Sequence, residues 1–538
     1  MKNRIRWRTL LTGALVAAAL LLCGVVLLIG PFGSVPAPGS IRYGLLHPTV
    51  PDHLKSVRYQ PTGFSSPIAH VPIPQHPFMA SNAGSNMHTD ASMSDAHGAS
   101  GPLGVNPRVT SRTQGFGGYG TVAFDSDERL VGVHSNGRRF QLELMDPFTL
   151  EELASYDLPP RPRHFWLQGV MPWEYIGAGM YFYLDEMDRA IVPTTADTIR
   201  VVQAPDMTTR SEFELVREYD LSDSVVPMSW PKKDSVAWVL PDWDGEFYWY
   251  ATTAGIVGTV DVATGAVQAL RLDGEIIENS FAVGEDGVFI VSDRALYRFG
   301  QTGSGEIVTD WRTEYDRGPT KKPGLITRGS GTSVTLLGGP EGVVAITDNA
   351  EPQIHLLAVR RADGSLACSA PLFAPGKSAT DITVVGFEQS DAAGQPTGVY
   401  STITENNWGH HFFPFGRPEP GITRVDIIPQ AEGTHRCEPV WTSNERNLGV
   451  FKLSLGNGLL YLYSWEGSPL SSRWYFTTVD FATGETVYRQ LTGTGLGYNN
   501  WAAAIFLHPQ GGVAYSTTIF GLVMLRDSHP IGMVLHGQ

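Results

Sequence analysis

The chain has 538 residues, of which 42% are apolar and 17% charged, with 59 Gly, 37 Pro and a formal charge of −15. This composition excludes a wholly disordered chain, and the many Gly and Pro residues argue against a mainly helical protein. An acidic chain of this size repels phosphate backbones, so we expect no nucleic-acid partner.

The N-terminal segment predicts a membrane anchor. Residues 10–29, LLTGALVAAALLLCGVVLLI, form an uncharged apolar run long enough to cross a hydrocarbon core of roughly 30 Å. The basic tail of residues 1–9 precedes this run, and positively charged flanks stay in the cytoplasm. We therefore expect a single-pass protein of the cell membrane whose C-terminal domain is extracytoplasmic, either periplasmic or at the cell surface. A cleavable signal peptide is the alternative.

The cysteines fit an exported domain. Cys23 lies inside the apolar run, which leaves Cys368 and Cys437 as an even pair in a compartment where disulfides persist. A bridge between them would close a loop of about 70 residues and contribute roughly 4 kcal/mol on the chain-entropy model. Two buried free thiols are the alternative, because the sequence does not show whether the two Cα atoms approach each other.

Residues 30–107 are rich in Pro, Ser, Gly, Ala and His and show weak periodicity. This pattern predicts a linker that holds the following domain away from the membrane. Within it, residues 79–97 mix Met and His side chains, and three interpretations stand. The segment is a weak copper ligand, a plain linker, or an ordered lid over the mouth of the next domain, with His88 and Asp90 pointing into that mouth.

Residues 108–538 repeat short apolar runs separated by turns, which predicts an all-β domain. One turn type, rich in Asp, Gly and Asn, precedes a strand at residues 125–128, 186–188, 242–245, 284–287, 338–342, 456–458 and 508–512. A second type, Asp-x-x-Thr, precedes an outer strand at residues 146–149, 261–265 and 480–484. Such turns supply the backbone conformations of tight hairpins, and their spacing of roughly 45 to 70 residues matches four-stranded blades.

The repeats predict a β-propeller of eight blades, with seven blades as the alternative. One divergent blade fits between residues 379 and 443. The last unit, residues 502–527, has room for about three strands, so we expect residues 109–115 to supply its outer strand and close the ring. A β-sandwich would need far fewer strands, and an α/β fold would need amphipathic helices between them.

Stretches spread over the exported part resemble a family of uncharacterised exported bacterial β-propeller proteins. They include SNMHTDASMSD, YFYLDEMDRAIVPTT, IIENSFAVGEDGVFIVSDRALYRF, TENNWG and LTGTGLGYNNW. The resemblance implies a propeller and export, and it brings no established activity. More locally, IENSFAV and GVFIVSD are similar to the inner-strand pattern of gluconolactonase- and strictosidine-synthase-type propellers, where an Asn helps to hold a metal in the tunnel.

Acid and amide side chains recur in pairs beside the predicted strands. They are Glu278, Asn279, Asp348, Asn349, Glu405, Asn406, Asn407, Asn499 and Asn500. Oxygen ligands of this kind from separate blades could cage a calcium ion, which could polarise a carbonyl group and activate water. The alternative is that each residue only caps a strand or forms an Asx turn.

Two classes of function follow from these patterns. The first is a module that binds or scaffolds a small ligand or a protein, which the lack of any strong catalytic motif favours. The second is a calcium-assisted hydrolase of lactones or esters that acts at the central channel. A quinoprotein-like dehydrogenase is a further alternative, since such enzymes also have eight blades, although the adjacent cysteines associated with many of them are absent here.

Overall fold

The computed structural model describes residues 13, 15–21, 56–58, 66–113, 117–161, 177, 179–225, 234–303, 305–410, 416–431, 434–467, 472–500 and 502–527. Residues 15–21 are helical. Across these ranges no helix has both the length and the apolar character that a bilayer crossing requires. Most of the predicted anchor at residues 10–29, the basic tail and the first part of the predicted linker lie outside the described residues.

The described strands form eight sheets, which are antiparallel except where Ala96–His97 pairs parallel with Lys452–Ser454, and this confirms the eight-bladed β-propeller. In the first four blades the strands follow the chain from the innermost to the outermost position. Blade 1 contains Gly118–Phe124, Leu130–Ser135, Phe140–Met145 and Glu152–Leu158. Blade 2 contains Tyr183–Leu184, Arg189–Pro193, Thr198–Gln203 and Glu214–Asp220. Blade 3 contains Val236–Pro241, Phe247–Thr252, Ile256–Asp261 and Val267–Arg271. Blade 4 contains Ala282–Gly284, Gly287–Val291, Ala295–Gln301 and Ile307–Glu314.

Blades 5 to 7 follow the same order, with two strands added to blade 7, whereas the outermost strand of blade 8 comes from the start of the domain. Blade 5 contains Thr335–Leu337, Val343–Thr347, Ile354–Arg360 and Leu366–Leu372. Blade 6 contains Val384–Ser390, Pro396–Glu405, Ile422–Pro429 and His435–Ser443. Blade 7 contains Lys452–Ser454, Leu459–Glu466, Arg473–Asp480 and Thr486–Thr494, with Ala96–His97 added at its inner edge and Ser56–Arg58 at its outer edge. Blade 8 contains Ile505–Leu507, Val513–Thr518, Gly521–Arg526 and the outer strand Arg108–Thr113, and the 3-10 helix Leu496–Tyr498 precedes it.

The recurring turns occupy equivalent places in the blades. All seven turns of the first type connect the two innermost strands of a blade. In blade 1, Asp125 Oδ1 accepts a hydrogen bond from the Arg129 amide at 2.8 Å, and Arg129 Nε donates to Asp125 Oδ2 at 2.8 Å. The second type precedes the outermost strand of blades 1, 3 and 7, and Asp146 Oδ1 accepts from the Thr149 amide at 2.7 Å. An acceptor side chain that satisfies turn amides explains why these residues recur.

The ring closes between the two ends of the propeller sequence, as predicted. Arg108–Thr113 pairs antiparallel with Gly521–Arg526, so that one blade combines the first and the last strands of the domain. A disulfide between Cys368 and Cys437, with a Cα–Cα distance of 5.6 Å, joins the outermost strands of blades 5 and 6. Both features tie neighbouring parts of the ring together at its circumference.

Candidate functional site

A segment of the predicted linker fills part of the central channel. This segment, residues 76–100, is called the plug here. Its backbone oxygens accept hydrogen bonds from inner strands around the ring, including those from the amides of Val283, Leu336, Gly386 and Leu453 in blades 4 to 7. The donor–acceptor distances of these four bonds lie between 2.9 and 3.0 Å. The plug therefore pairs with inner strand edges that would otherwise face an open channel.

The composition of the plug explains why it resembles a linker in sequence. It consists largely of Ala, Ser, Gly, Asn and Met, and small side chains let its backbone approach the inner strands. Thr89, Met93 and Asp95 adopt positive φ angles of 83°, 56° and 53°, so the segment turns sharply instead of extending. Polarity in this segment reflects hydrogen bonding inside the ring. Residues 76–100 are therefore an ordered segment packed into the propeller and not a free linker.

A buried ion pair attaches the plug to blade 7. The Lys452 ammonium group contacts Asp95 Oδ1 and donates to the Met87 carbonyl oxygen at 2.5 Å. Both side chains are almost inaccessible to solvent. Burial on its own would raise the pKa of Asp95, but Lys452 and His88 hold this pKa below its ordinary value. The Thr383 hydroxyl also donates to Asp95 Oδ2 at 2.6 Å. The carboxylate is therefore ionised and fully hydrogen-bonded.

The plug forms the floor of a cavity on the axis of the propeller. This axial cavity has a volume of about 150 Å³, and Met87 and His88 lie at its floor. Its walls come from segments that lead into the inner strands of several blades, so the cavity lies at the end where these strands begin. Apolar side chains, among them Tyr119, Tyr181 and Ile382, share these walls with polar ones.

Two carboxyl groups face the axial cavity from blades 4 and 6. Burial raises the pKa of Glu278, and burial together with the Glu278 charge raises the pKa of Asp381. The Thr327 hydroxyl donates to Glu278 Oε2, and the Ile326 amide donates to Asp381 Oδ1 at 3.3 Å. Because two neighbouring buried carboxyl groups resist ionising together, the pair retains a proton to a higher pH than isolated carboxyls do.

Several polar atoms at the cavity wall have no hydrogen-bond partner among the described residues. They are Asn500 Oδ1, Thr517 Oγ1 and Thr518 Oγ1, and all three atoms are buried. The great majority of buried polar atoms in proteins have a hydrogen-bond partner. A cluster of unpaired ones at a cavity therefore indicates that a polar partner binds there. All three atoms accept hydrogen bonds, and the two hydroxyl groups also donate.

The structure distributes the residues of the predicted calcium site among different environments. Glu278 and Asn279 line the axial cavity. Asp348 accepts from the His355 amide at 2.7 Å, while Asn349 donates to the Arg317 carbonyl oxygen at 2.9 Å. These two residues stabilise loops of blade 5 and do not line the axial cavity.

Of the remaining members, Asn500 also lines the axial cavity, and the others lie in separate surroundings. Glu405 is fully buried, accepts from Asn407 Nδ2 at 2.8 Å and from Asn447 Nδ2, and has a pKa that burial raises to about 7. Asn406 Nδ2 donates to the Lys377 carbonyl oxygen at 2.9 Å. The Asn499 carbonyl oxygen accepts from the Ile519 amide at 2.8 Å. Within the described ranges, no three His, Cys, Asp or Glu side chains cluster as a metal site would require.

The two residues predicted for the lid have different roles. His88 lies at the floor of the axial cavity. Asp90 is buried inside the plug, where Oδ1 accepts from the Ser92 amide at 2.9 Å and the Ser94 hydroxyl contacts Oδ2. Burial raises the pKa of Asp90 to about 7. Asp90 therefore shapes the turn of the plug and does not reach the cavity.

Sequence reasoning missed three side chains that lie around His88. They are Asp95, Ser333 and Lys452, which come from the plug, blade 5 and blade 7. Nothing in their local sequence marks them, because each follows an ordinary strand or turn pattern. Only the folded ring brings them together.

The comparisons with known proteins identify the fold. No family model and no curated protein matches the chain. A quinohemoprotein alcohol dehydrogenase from Comamonas testosteroni is similar in structure with a TM-score of 0.52 at 10% identity, covering 85% of this chain and 82% of that one. A europium-containing methanol dehydrogenase has a TM-score of 0.48 at 10% identity, covering 80% of this chain and 88% of that one.

BamB from Moraxella catarrhalis is a third similar structure, with a TM-score of 0.32 at 11% identity, covering 63% of this chain and 95% of its own. Likeness at these identities shows the β-propeller alone. The quinoprotein alternative, the family of exported propellers and the likeness to gluconolactonase-type propellers therefore stay predictions.

Proposed function

We propose that this protein is a membrane-anchored, extracytoplasmic β-propeller that binds a small polar ligand in its axial cavity. The membrane location rests on the apolar run of residues 10–29 and the basic residues before it. The binding role rests on the cavity, because a pocket with an ordered floor and unpaired polar atoms is a typical ligand site.

The observation that carries this proposal is the set of unpaired acceptors at the cavity wall. Asn500 Oδ1 and the hydroxyl groups of Thr517 and Thr518 are buried without a partner among the described residues. A ligand that presents several hydrogen-bond donors would satisfy all of them. Tyr119 and the other apolar side chains of the wall would contact its carbon skeleton. These features favour a small polyol or monosaccharide unit.

The size of the cavity sets the scale of the ligand. About 150 Å³ of free space holds a compact group of several carbon and oxygen atoms, and a folded protein partner would not fit. This favours the small-ligand form of the binding module over a scaffold that acts through the cavity.

The test measures the thermal stability of the full-length protein with increasing glycerol, myo-inositol or glucose. A ligand at a hundred times its Kd stabilises the native state by about 2.7 kcal/mol, so the Tm rises with concentration and saturates. The Ala503→Trp variant places a large side chain at the cavity wall and should lose this saturable rise.

The control variant is Ala393→Trp, which adds the same side chain at an exposed turn of blade 6. This variant should respond to the polyols as the wild type does. Equal responses of the wild type and Ala503→Trp to all three compounds would contradict the proposal, because the response would then be a general solvent effect.

A further inference from the structure

A hydroxyl group, an imidazole and a carboxylate form a continuous chain of hydrogen bonds at the cavity floor. Ser333 Oγ lies 3.1 Å from His88 Nε2, and His88 Nδ1 lies 2.8 Å from Asp95 Oδ2. Ser333 and His88 both line the axial cavity, and both are 2% exposed. The three residues come from blade 5 and from two positions in the plug, so the arrangement exists only after the plug has docked.

The surrounding groups fix the direction of each hydrogen bond in this chain. The Asp95 carboxylate is ionised and only accepts, which assigns the Nδ1 proton of His88 to the bond with Asp95. In the neutral imidazole that the proposal requires, His88 Nε2 is then the acceptor. Ser280 Oγ donates to Ser333 Oγ at 2.8 Å, which directs the Ser333 hydroxyl proton towards His88 Nε2. This is the polarity that a base needs to remove the proton from a serine nucleophile.

His97, which lies in the plug strand that pairs with blade 7, has a purely structural role. His97 Nε2 contacts the Ala83 carbonyl oxygen at 2.9 Å, and His97 Nδ1 accepts from the Ala99 amide at 3.1 Å. Both partners of His97 are backbone groups of the plug itself. His88 instead bonds to a hydroxyl group and a carboxylate, and it lies beside free volume.

We propose that Ser333, His88 and Asp95 form a nucleophile, base and orienting carboxylate that hydrolyse a small acyl ester of a polyol in the axial cavity. The inference rests on the proposed binding function, because the acceptors around the cavity would hold the polyol part. It also replaces the calcium mechanism expected from sequence with a serine nucleophile at the same channel. Lys452 contacts Asp95 Oδ1, and Thr383 donates to Oδ2, the same oxygen that bonds His88.

The reaction conserves atoms and charge in two steps. Ser333 Oγ attacks the ester carbonyl carbon while its proton passes to His88 Nε2, and the imidazolium that forms is stabilised by Asp95. The tetrahedral intermediate expels the polyol oxygen, which takes the proton from His88, and leaves the acyl group on Ser333. Water then attacks this acyl-serine and gives its proton to His88, and on collapse His88 returns that proton to Ser333 Oγ as the carboxylic acid is released.

Asn279 lines the same cavity, and we assign it as a hydrogen-bond donor in this reaction. Its Nδ2 donates one hydrogen bond to the Gly331 carbonyl oxygen at 2.6 Å, and an amide nitrogen carries two N–H groups. The second N–H is a donor for the developing oxyanion, an interaction that lowers the barrier of acyl transfer.

The first experiment treats the purified full-length protein with an alkyl fluorophosphonate and maps the modified peptide by mass spectrometry. An activated serine reacts with this probe and ordinary serines do not. We expect stoichiometric modification of Ser333, absent in Ser333→Ala and slowed at least 100-fold in His88→Gln. Ser330→Ala removes a nearby buried serine that is not part of the hydrogen-bond chain of Ser333, His88 and Asp95, and this variant should be labelled as the wild type is.

The second experiment follows p-nitrophenyl acetate hydrolysis by the same proteins, with circular dichroism to check their folding. Asp95→Asn should lower kcat at least 100-fold and leave KM within a few-fold, because Asp95 acts through His88. If the wild-type protein is folded but Ser333 is not labelled, the proposed nucleophile mechanism is overturned, whatever the variants show. A saturable polyol-dependent rise in Tm in that case would leave the binding function intact. Labelling of Ser333 without any polyol response would instead overturn the binding function.

Discussion

Replacing Lys452 with Met should destabilise the plugged propeller at neutral pH. The methionine side chain keeps the apolar stem of lysine and removes the ammonium group that contacts Asp95 and the Met87 carbonyl oxygen. Asp95 would then be an ionised carboxylate without a cation in a site that solvent does not reach. Breaking a buried ion pair from one side costs about 3–5 kcal/mol, because the remaining charge is buried unpaired.

The loss of stability in Lys452→Met should be smaller at acid pH than at alkaline pH. In the wild type the pKa of Asp95 is lowered in the folded state, so its contribution to stability is present at neutral pH and is lost on acidification. In Lys452→Met the main cause of that lowering is gone, and burial then raises the Asp95 pKa above its unfolded value. A raised pKa favours the folded state at acid pH. The variant should therefore lie closer to the wild type at pH 5 than at pH 8.

The assay is guanidinium chloride unfolding of the full-length protein at both pH values, followed by tryptophan fluorescence. Lys377→Met is the matched control, since Lys377 pairs with Glu419 at 2.9 Å but is 60% exposed and should contribute less than about 1 kcal/mol. The double variant Lys452→Met with Asp95→Asn removes both charges and should recover part of the loss. A loss below about 1 kcal/mol at pH 8 in Lys452→Met would refute the reasoning, and so would a double variant less stable than the single one.

Three further perturbations test other parts of the fold. Cys368→Ser removes the disulfide that joins residues 69 positions apart and should lower the free energy of unfolding in denaturant by roughly 4 kcal/mol. Equal stability of the wild type with and without reductant would contradict this. Burial raises the Asp90 pKa to about 7, so the wild type should lose up to about 4 kcal/mol of stability as the pH rises from about 4 to about 7. Asp90→Asn should not show this pH-dependent loss. Parallel pH profiles of unfolding for the two proteins would contradict the prediction. Gly245→Ala should lower the Tm more than Gly376→Ala, since both glycines have similar positive φ but only at Gly245 would a Cβ collide with the Phe78 ring; equal losses would exclude that contact.

The propeller was predictable because its information is local. Each innermost hairpin carries its own turn, such as Asp125 accepting from the Arg129 amide, and the same chemistry recurs along the chain. Turn positions therefore gave the strand pairs and the number of blades. Closure was predictable for a different reason, since the last unit lacked one strand and Arg108–Thr113 was the segment placed to supply it.

The plug was not predictable from the same kind of pattern. Its backbone hydrogen bonds join residues such as Ser92 and Leu336, which are far apart in sequence, and they leave no periodic signal in the plug itself. Small polar residues are typical of linkers and equally of chain that must approach several strand edges closely. Composition alone does not separate these two cases, because the difference lies in what surrounds the segment.

The residues of the candidate site also divide into those marked by their local sequence and those that only the fold brings together. Glu278 and Asn279 were identified from sequence because an acid–amide pair beside an inner strand is conspicuous, and both line the axial cavity. Ser333 and His88 are 245 positions apart and meet only because the plug crosses the ring between the blades. A residue of blade 5 can thus become reactive only when a segment that precedes the whole propeller has docked. Chemistry at this floor would be coupled to plug docking, and the stability of the Lys452–Asp95 pair would control both.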